Sequence, residues 1–317
     1  MNSQLIKQTF VFLVKLAIAG GLLYWLFASD KLDFQSVLEE SFNPYHILGL
    51  VVVLGSTAAA AFRWRYLLHL QGLSFSSAVV IRWTLIGEFF GLTLPGGAGT
   101  ELSRAFYMLR NATNAKTAAL SSIFLDRILA MTSLILMGFL SFLALLISSD
   151  TIDKTILVLG IVMGTVLLGT VLGFFLIGLR PVRKLIQKPL FENYRQVVDN
   201  IIVSYVSRKK ILLKSFVLSF IAHSLILLAF FIATEILSTA VSWKELAITM
   251  PLVMISNILP ITPAGIGVGE TTAAFLFALF GVPNGGAIML VARVWLVAVQ
   301  LLGGVVYLFD RHEGEVE

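Results

Sequence analysis

The sequence contains no cysteine, which excludes disulfides, thiolate catalysis, iron–sulfur clusters and cysteine-based zinc sites and leaves the redox compartment open. Histidine is nearly as scarce. His46, His69, His223 and His312 are scattered without an HExxH pair, so no histidine metal site is expected. Charge is thin as well: Asp, Glu, Lys and Arg make up 13% of the 317 residues, about half the quarter usual in soluble proteins. What is present instead is apolar, at 58% of the chain and a mean hydropathy of +0.92. A chain this short cannot bury so much apolar surface in one water-soluble core. The composition excludes a soluble enzyme, a disordered chain and a nucleic-acid binder, and indicates a polytopic membrane protein.

Apolar runs long enough to cross about 30 Å of hydrocarbon fall at about 9–28, 44–62, 118–147, 155–179, 211–237 and 284–309. Basic residues near their ends set the sidedness. The connector 180–210 carries Arg180, Arg183, Lys184, Lys188, Arg195, Arg208, Lys209 and Lys210 against Glu192 and Asp199, which places it in the cytoplasm. Arg63, Arg65, Arg104, Arg110 and Lys116 assign their loops to the same side, whereas the acidic stretch 29–43 and the short 148–154 read as outside. Six crossings then leave both termini cytoplasmic. The start of the chain, with Lys7 and Lys15 before an apolar run ending in Phe27-Ala28-Ser29, also resembles a signal peptide; the run is long enough to span, and retention is the reading adopted.

Two further apolar stretches, 76–110 and 244–281, are broken midway by Pro and Gly. One interruption runs Leu94-Pro95-Gly96-Gly97-Ala98-Gly99-Thr100-Glu101, the other from Leu259-Pro260 to Gly269-Glu270. Irregular backbone at membrane depth is tolerated only where protein buries it or a wet cavity takes its polar groups. Each stretch therefore reads as a re-entrant helical hairpin. Pro95 precedes Arg127 much as Pro260 precedes Arg293, and both arginines lie well inside the next full span. With the assigned sidedness, the segments at about 44–147 and 211–309 form an inverted-topology repeat, the plan of many alternating-access transporters. The expected fold is an all-α polytopic integral membrane protein of one membrane domain over 1–317, with six full transmembrane helices and two re-entrant hairpins.

An intramembrane arginine costs at least about 2.5–3.5 kcal/mol on insertion scales and normally faces a partner or water. For Arg127 and Arg293 two readings stand side by side. They form structural ion pairs with Asp126, Glu101 or Glu270, or their planar guanidiniums bind a lipid phosphate. The second half-helix of each hairpin points its positive end at the midplane. Upturned amides of Gly96, Gly97, Gly99, Gly265 and Gly267 would add to an anion site there, with Thr100 as an N-cap. Glu101 and Glu270 suit either helix-end stabilisation or coupling through protonation. His223 and Glu235 share a span and read as buried polar contacts before a proton relay. Arg63 and Arg65 read as marking the anionic inner-leaflet interface. The run Gly265-Ile266-Gly267-Val268-Gly269 lacks the spacing and βαβ setting of a dinucleotide fingerprint, and no GK[ST] phosphate loop supports ATP-driven pumping. No cofactor and no metal are expected.

The stretches Arg63-Trp64-Arg65, Gly87-Glu88-Phe89 through Arg104, Asp126-Arg127, and Pro260 through Glu270 resemble the transmembrane domain of the lysylphosphatidylglycerol synthase family, also described as flippase-like membrane proteins. The resemblance covers most of the chain. It implies translocation of lipid between leaflets, and it adds Glu88 and Arg104 to the residues of interest, beside Arg63 and Arg65. Only eight residues follow the last span, so it does not extend to aminoacyl transfer by a separate soluble domain. The expected function is that of a non-enzymatic, flippase-like translocator of an anionic phospholipid, glycolipid or polyprenyl-phosphate carrier in a cell membrane of bacterial or archaeal type. Membrane lipids are the expected partners, with a lipid-synthesis enzyme a further candidate. The alternatives are a membrane-embedded transferase using lipid-phosphate donors and a non-catalytic scaffold for a lipid enzyme.

Overall fold

The computed structural model describes residues 34–92, 97–111, 116–149, 152–177 and 208–310, together with isolated positions at 13, 17, 21, 24, 179, 199 and 201. The expected first span, most of the basic connector, and Pro95 and Gly96 lie outside the described residues. What is described is all-helical. A short α1 (Phe34–Glu39) leads through a 3-10 turn to α2 (Tyr45–Leu70). Then come α3 (Ser77–Gly91), α4 (Ala98–Asn111), α5 (Lys116–Ser148) and α6 (Lys154–Ile177). The second half comprises α7 (Lys209–Ile236), α8 (Trp243–Ile258), α9 (Val268–Ala278) and α10 (Gly285–Leu308).

Helix starts follow the capping chemistry of the sequence. Ser76 Oγ accepts the Val79 amide at the head of α3. Ser242 and Glu245 form a reciprocal capping box on α8, with the Ser242 amide 2.8 Å from Glu245 Oε2. Asp153 accepts the Thr155 amide at 2.7 Å ahead of α6, and backbone donation from Thr155 holds its carboxyl below the usual range.

Helices α2, α5, α6, α7 and α10 are each long and apolar enough to cross a membrane. By contrast α3, α4, α8 and α9 have 15, 14, 16 and 11 residues, so even α8 reaches only about 24 Å at 1.5 Å per residue. Large apolar side chains stand exposed around the outside, Phe106, Phe124, Val158, Ile161 and Leu168 among them. That is the surface a hydrocarbon solvent requires and water penalises.

Packing between the halves is paired. Helices α2 and α7 share the most extensive contact; α3 lies on α10 as α8 lies on α5; α2 meets α10 as α7 meets α5; and the two short-helix pairs α3–α4 and α8–α9 each fold on themselves. Small residues allow the close approaches. A Cβ at Gly99 would sit 1.8 Å from the Phe90 carbonyl oxygen, and one at Gly303 would sit 1.9 Å from that of Leu85. The larger apolar core gathers Val53, Leu134, Phe230, Val253, Phe277 and Trp295 from six helices. A smaller one stacks Trp64, Phe75, Trp83 and Tyr107 around α2, α3 and α4.

Candidate functional site

Where the two broken segments approach each other, the helices enclose a cavity of about 330 Å³. Its lining includes Arg63 from α2, Glu88 from α3, Gly97 at the head of α4, Glu101 and Arg104 from α4, and Asp126 and Arg127 from α5. The second half contributes His223 from α7, Asn257 from α8, Ala264 from the turn, and Arg293 and Gln300 from α10. The pairing of α3 with α10 and of α8 with α5 thus brings the sequence-predicted arginines of both halves to one space.

Three ionic groups organise it. Asp126 accepts two hydrogen bonds from Arg63, at 2.6 Å from Nε and 2.9 Å from Nη2, and a third from Arg104 Nη1 at 3.2 Å. Arg63 also donates to Ser219 Oγ. Arg104 reaches Glu88 at 3.8 Å and lies over the Trp64 ring, 5.1 Å from its centroid, a cation–π contact. Arg63, Arg104 and Asp126 are buried, and Glu88 is half-buried at the edge of the cluster. Arg63 is thus buried in the protein, with α2 continuing past it to Leu70. Arg65 donates to the carbonyl of Phe75, a helix-turn contact.

The other two groups are the arginine–glutamate pairs, one from each half. Arg293 donates to Glu270 from Nε and Nη2, to the Ala264 carbonyl at 2.7 Å, to Asn257 Oδ1 at 2.9 Å and to the Gly265 carbonyl at 3.2 Å. Glu270 in turn accepts the Gly267 amide at 2.7 Å. The turn that presents these carbonyls needs left-handed backbone at Ala264, Gly265 and Gly267, which two of the three meet by being glycine. Gly265 also has no room for a side chain, since a Cβ there would lie 2.5 Å from Asn257 Oδ1. The Arg293 side chain is 8% exposed and that of Glu270 0%.

Arg127 donates Nε to Glu101, and its Nη2 lies 3.5 Å from the Gly97 carbonyl. Its side chain is 33% exposed and that of Glu101 36%. The two pairs match in sequence and differ in surroundings.

Several expectations change. Thr100 is not an N-cap: α4 begins at Ala98, and Thr100 sits in its first turn, packed against Gly87 and Gly91 of α3. Gly99 is wedged against the Phe90 carbonyl and faces the partner helix. Gly265 and Gly267 offer no free amides. The Gly265 amide bonds Thr262 O, the Gly267 amide bonds Glu270, and Gly265 presents its carbonyl to Arg293. Asp126 partners Arg63 and Arg104, while Glu101 and Glu270 take the two deep arginines. His223 lies on the cavity with Nε2 3.0 Å from the Ala130 carbonyl, which only a protonated Nε2 satisfies; Glu235 is exposed at the far end of α7. The sequence reading missed Asn257, although a lone amide inside an apolar run just before Pro260 is the signal that marks it.

A family model described as the lysylphosphatidylglycerol synthase TM region matches residues 12–304, most of the chain. No curated protein and no solved structure matches it.

Proposed function

The chain belongs to the lysylphosphatidylglycerol synthase TM-region family, and from that premise we propose that it is a flippase-like translocator of an anionic lipid between leaflets. The family is a membrane domain associated with lipid-related flippase or synthase function. The observation that carries the proposal is the convergence of Arg63, Arg104, Arg127 and Arg293 on one cavity of about 330 Å³.

A phosphate moving alone through hydrocarbon leaves an unpaired charge in a medium of low dielectric, which is prohibitive. A translocator has to hold positive potential along the route, and fixed guanidiniums do so with a planar fork that matches two phosphate oxygens. In this reading Arg127, the more open of the two deep arginines, takes the headgroup phosphate. Arg293 fixes the turn before α9 and closes the far wall. Acyl chains stay outside, against the apolar flanks of the bundle. The short pairs α3–α4 and α8–α9 act as re-entrant hairpins entering from opposite faces, within repeats spanning about 44–147 and 211–309. The protein sits in the plasma membrane with both termini cytoplasmic, and the substrate is a phospholipid, glycolipid or polyprenyl phosphate.

Reconstitution into vesicles with fluorescent phosphatidylglycerol and a membrane-impermeant quencher tests this. Wild-type protein is expected to expose inner-leaflet lipid to the quencher. Arg127→Gln is expected to abolish that exposure in protein that stays monodisperse, and Arg127→Lys to restore part of it. Full activity of the glutamine variant would sink the phosphate role of Arg127.

A further inference from the structure

The cavity is charge-balanced, and the balance decides how an anion can enter it. Four arginines, Arg63, Arg104, Arg127 and Arg293, meet four carboxylates, Glu88, Glu101, Asp126 and Glu270, the last behind Arg293. Among the described residues no guanidinium is in surplus. A phosphate that arrives as an anion therefore makes the site net negative unless a carboxylate yields its arginine and loses its charge. Such a displacement selects the carboxylate held least.

The four differ sharply in how they are held. Asp126 accepts three hydrogen bonds from Arg63 and Arg104 and is buried. Glu270 is wholly buried and bonded to both Arg293 and the Gly267 amide. Glu88 sits 3.8 Å from Arg104, whose side chain is 8% exposed and whose Nε is buried, so releasing Glu88 opens no fork that a headgroup in the cavity can reach. Among the described residues Glu101 makes one side-chain hydrogen bond, to Arg127, with both side chains about a third exposed on the cavity. Arg127 Nη1 has no hydrogen-bond partner among the described residues, and Nη2 reaches only the Gly97 carbonyl at 3.5 Å. Among the described residues, the charged and titratable groups that line the cavity with Glu101 are Glu88 from α3, Arg104 on its own helix, Asp126 and Arg127 from α5, Arg63 from α2, His223 from α7 and Arg293 from α10.

Resting on the translocator reading, we infer that a phosphoryl anion and a proton enter the site together, the phosphate replacing Glu101 on Arg127 and the proton neutralising the released carboxylate. One N–H···O contact is exchanged for another, the Glu101 carboxylate becomes a carboxylic acid, and the net charge of the cavity is unchanged. The proton stays with Glu101 until the phosphate leaves and the ion pair reforms. The device is one-sided. The Arg293–Glu270 pair of the other half is fixed architecture, so the two related halves carry different duties. A protonated carboxyl is a requirement that alkali removes, so turnover is expected to fall as pH rises.

The test uses the full chain in vesicles with fluorescent phosphatidylglycerol, an entrapped pH dye, and the membrane potential clamped. Wild-type protein is expected to lose lipid translocation as pH rises and to move protons with the lipid. Glu101→Gln is neutral at every pH, so its rate is expected to be flat with pH, without accompanying proton movement. Glu101→Asp keeps a titrating carboxyl and is expected to retain the pH dependence. A wild-type rate that is flat across pH, or a Glu101→Gln variant that keeps the wild-type pH profile, overturns the inference and leaves the translocator reading standing. No translocation of anionic lipid by the wild type at any pH overturns that reading, and this inference with it.

Discussion

Glu101 and Glu270 each lie in the first turn of a short helix, each facing an arginine from the next long helix, yet removal of either charge has different consequences. Glu270 is wholly buried, and Arg293 opposite it commits every nitrogen, Nε to Glu270, Nη1 to the Ala264 carbonyl and Nη2 to Asn257, Gly265 and Glu270. Breaking a buried pair by removing one partner leaves the other charge uncompensated, typically at about 3–5 kcal/mol. Glu270→Gln and Arg293→Gln are therefore expected to lower the melting midpoint in detergent strongly and to broaden size-exclusion profiles. Arg127→Gln, at a site already a third open, is expected to melt close to wild type. Equal losses at both pairs would contradict the assignment of one as structural and the other as exchangeable. The two sites could not be told apart from sequence. Each showed a Pro/Gly interruption and a glutamate before an arginine, and burial is a property of what packs over them.

Glycine decides how closely the short helices lie at the level of elements. The α3–α4 pair is drawn together at Gly99 against the Phe90 carbonyl, and α10 is drawn onto α3 at Gly303 against that of Leu85. Both would-be contacts are with backbone, which cannot rotate away as a side chain does. Gly99→Ala and Gly303→Ala are each expected to destabilise by about 1–3 kcal/mol through overpacking, read as a drop in detergent melting temperature. Gly169→Ala on α6, where an added Cβ meets no described atom of another element within 4 Å, is the control without overpacking. Most elements were legible because hydropathy and capping agree. The apolar runs at 118–147 and 211–237 fall on α5 and α7, and the Pro/Gly breaks fall between short helices. The end of α2 was not legible. Arg63-Trp64-Arg65 closes an apolar run as interfacial residues do, and only the placement of Asp126 across from it makes a buried arginine tolerable. Thr100 was misassigned for a similar reason: threonine is a good cap, but here its value is its fit against Gly87 and Gly91.

Across the whole molecule, exchanging α2 with α7, α3 with α8, α4 with α9 and α5 with α10 maps the main helix contacts onto one another. An internal repeat packed about a two-fold axis would give such a relation. The direction of that axis depends on how many times the chain crosses between the halves. If α6 crosses once between α5 and the connector, α2 and α7 run in opposite directions through the bilayer, the axis lies in its plane, and the two short-helix pairs open to opposite sides. If α6 does not cross, the halves are parallel and both pairs open to one side, which removes the geometry of alternating access. The basic residues favour the first arrangement, and the absence of native cysteine makes it directly measurable. Ser74 lies in the exposed turn between α2 and α3, and Ala240 in the exposed turn between α7 and α8. In intact cells Ala240→Cys is expected to react with an impermeant maleimide, whereas Ser74→Cys is expected to react only after permeabilisation. Both residues occupy the same place in their halves, between the first long helix and the short pair, so opposite accessibility is the signature of inversion. Labelling of both from the same side would mean parallel halves, and the cavity would then be a binding site without a second face from which to release its lipid.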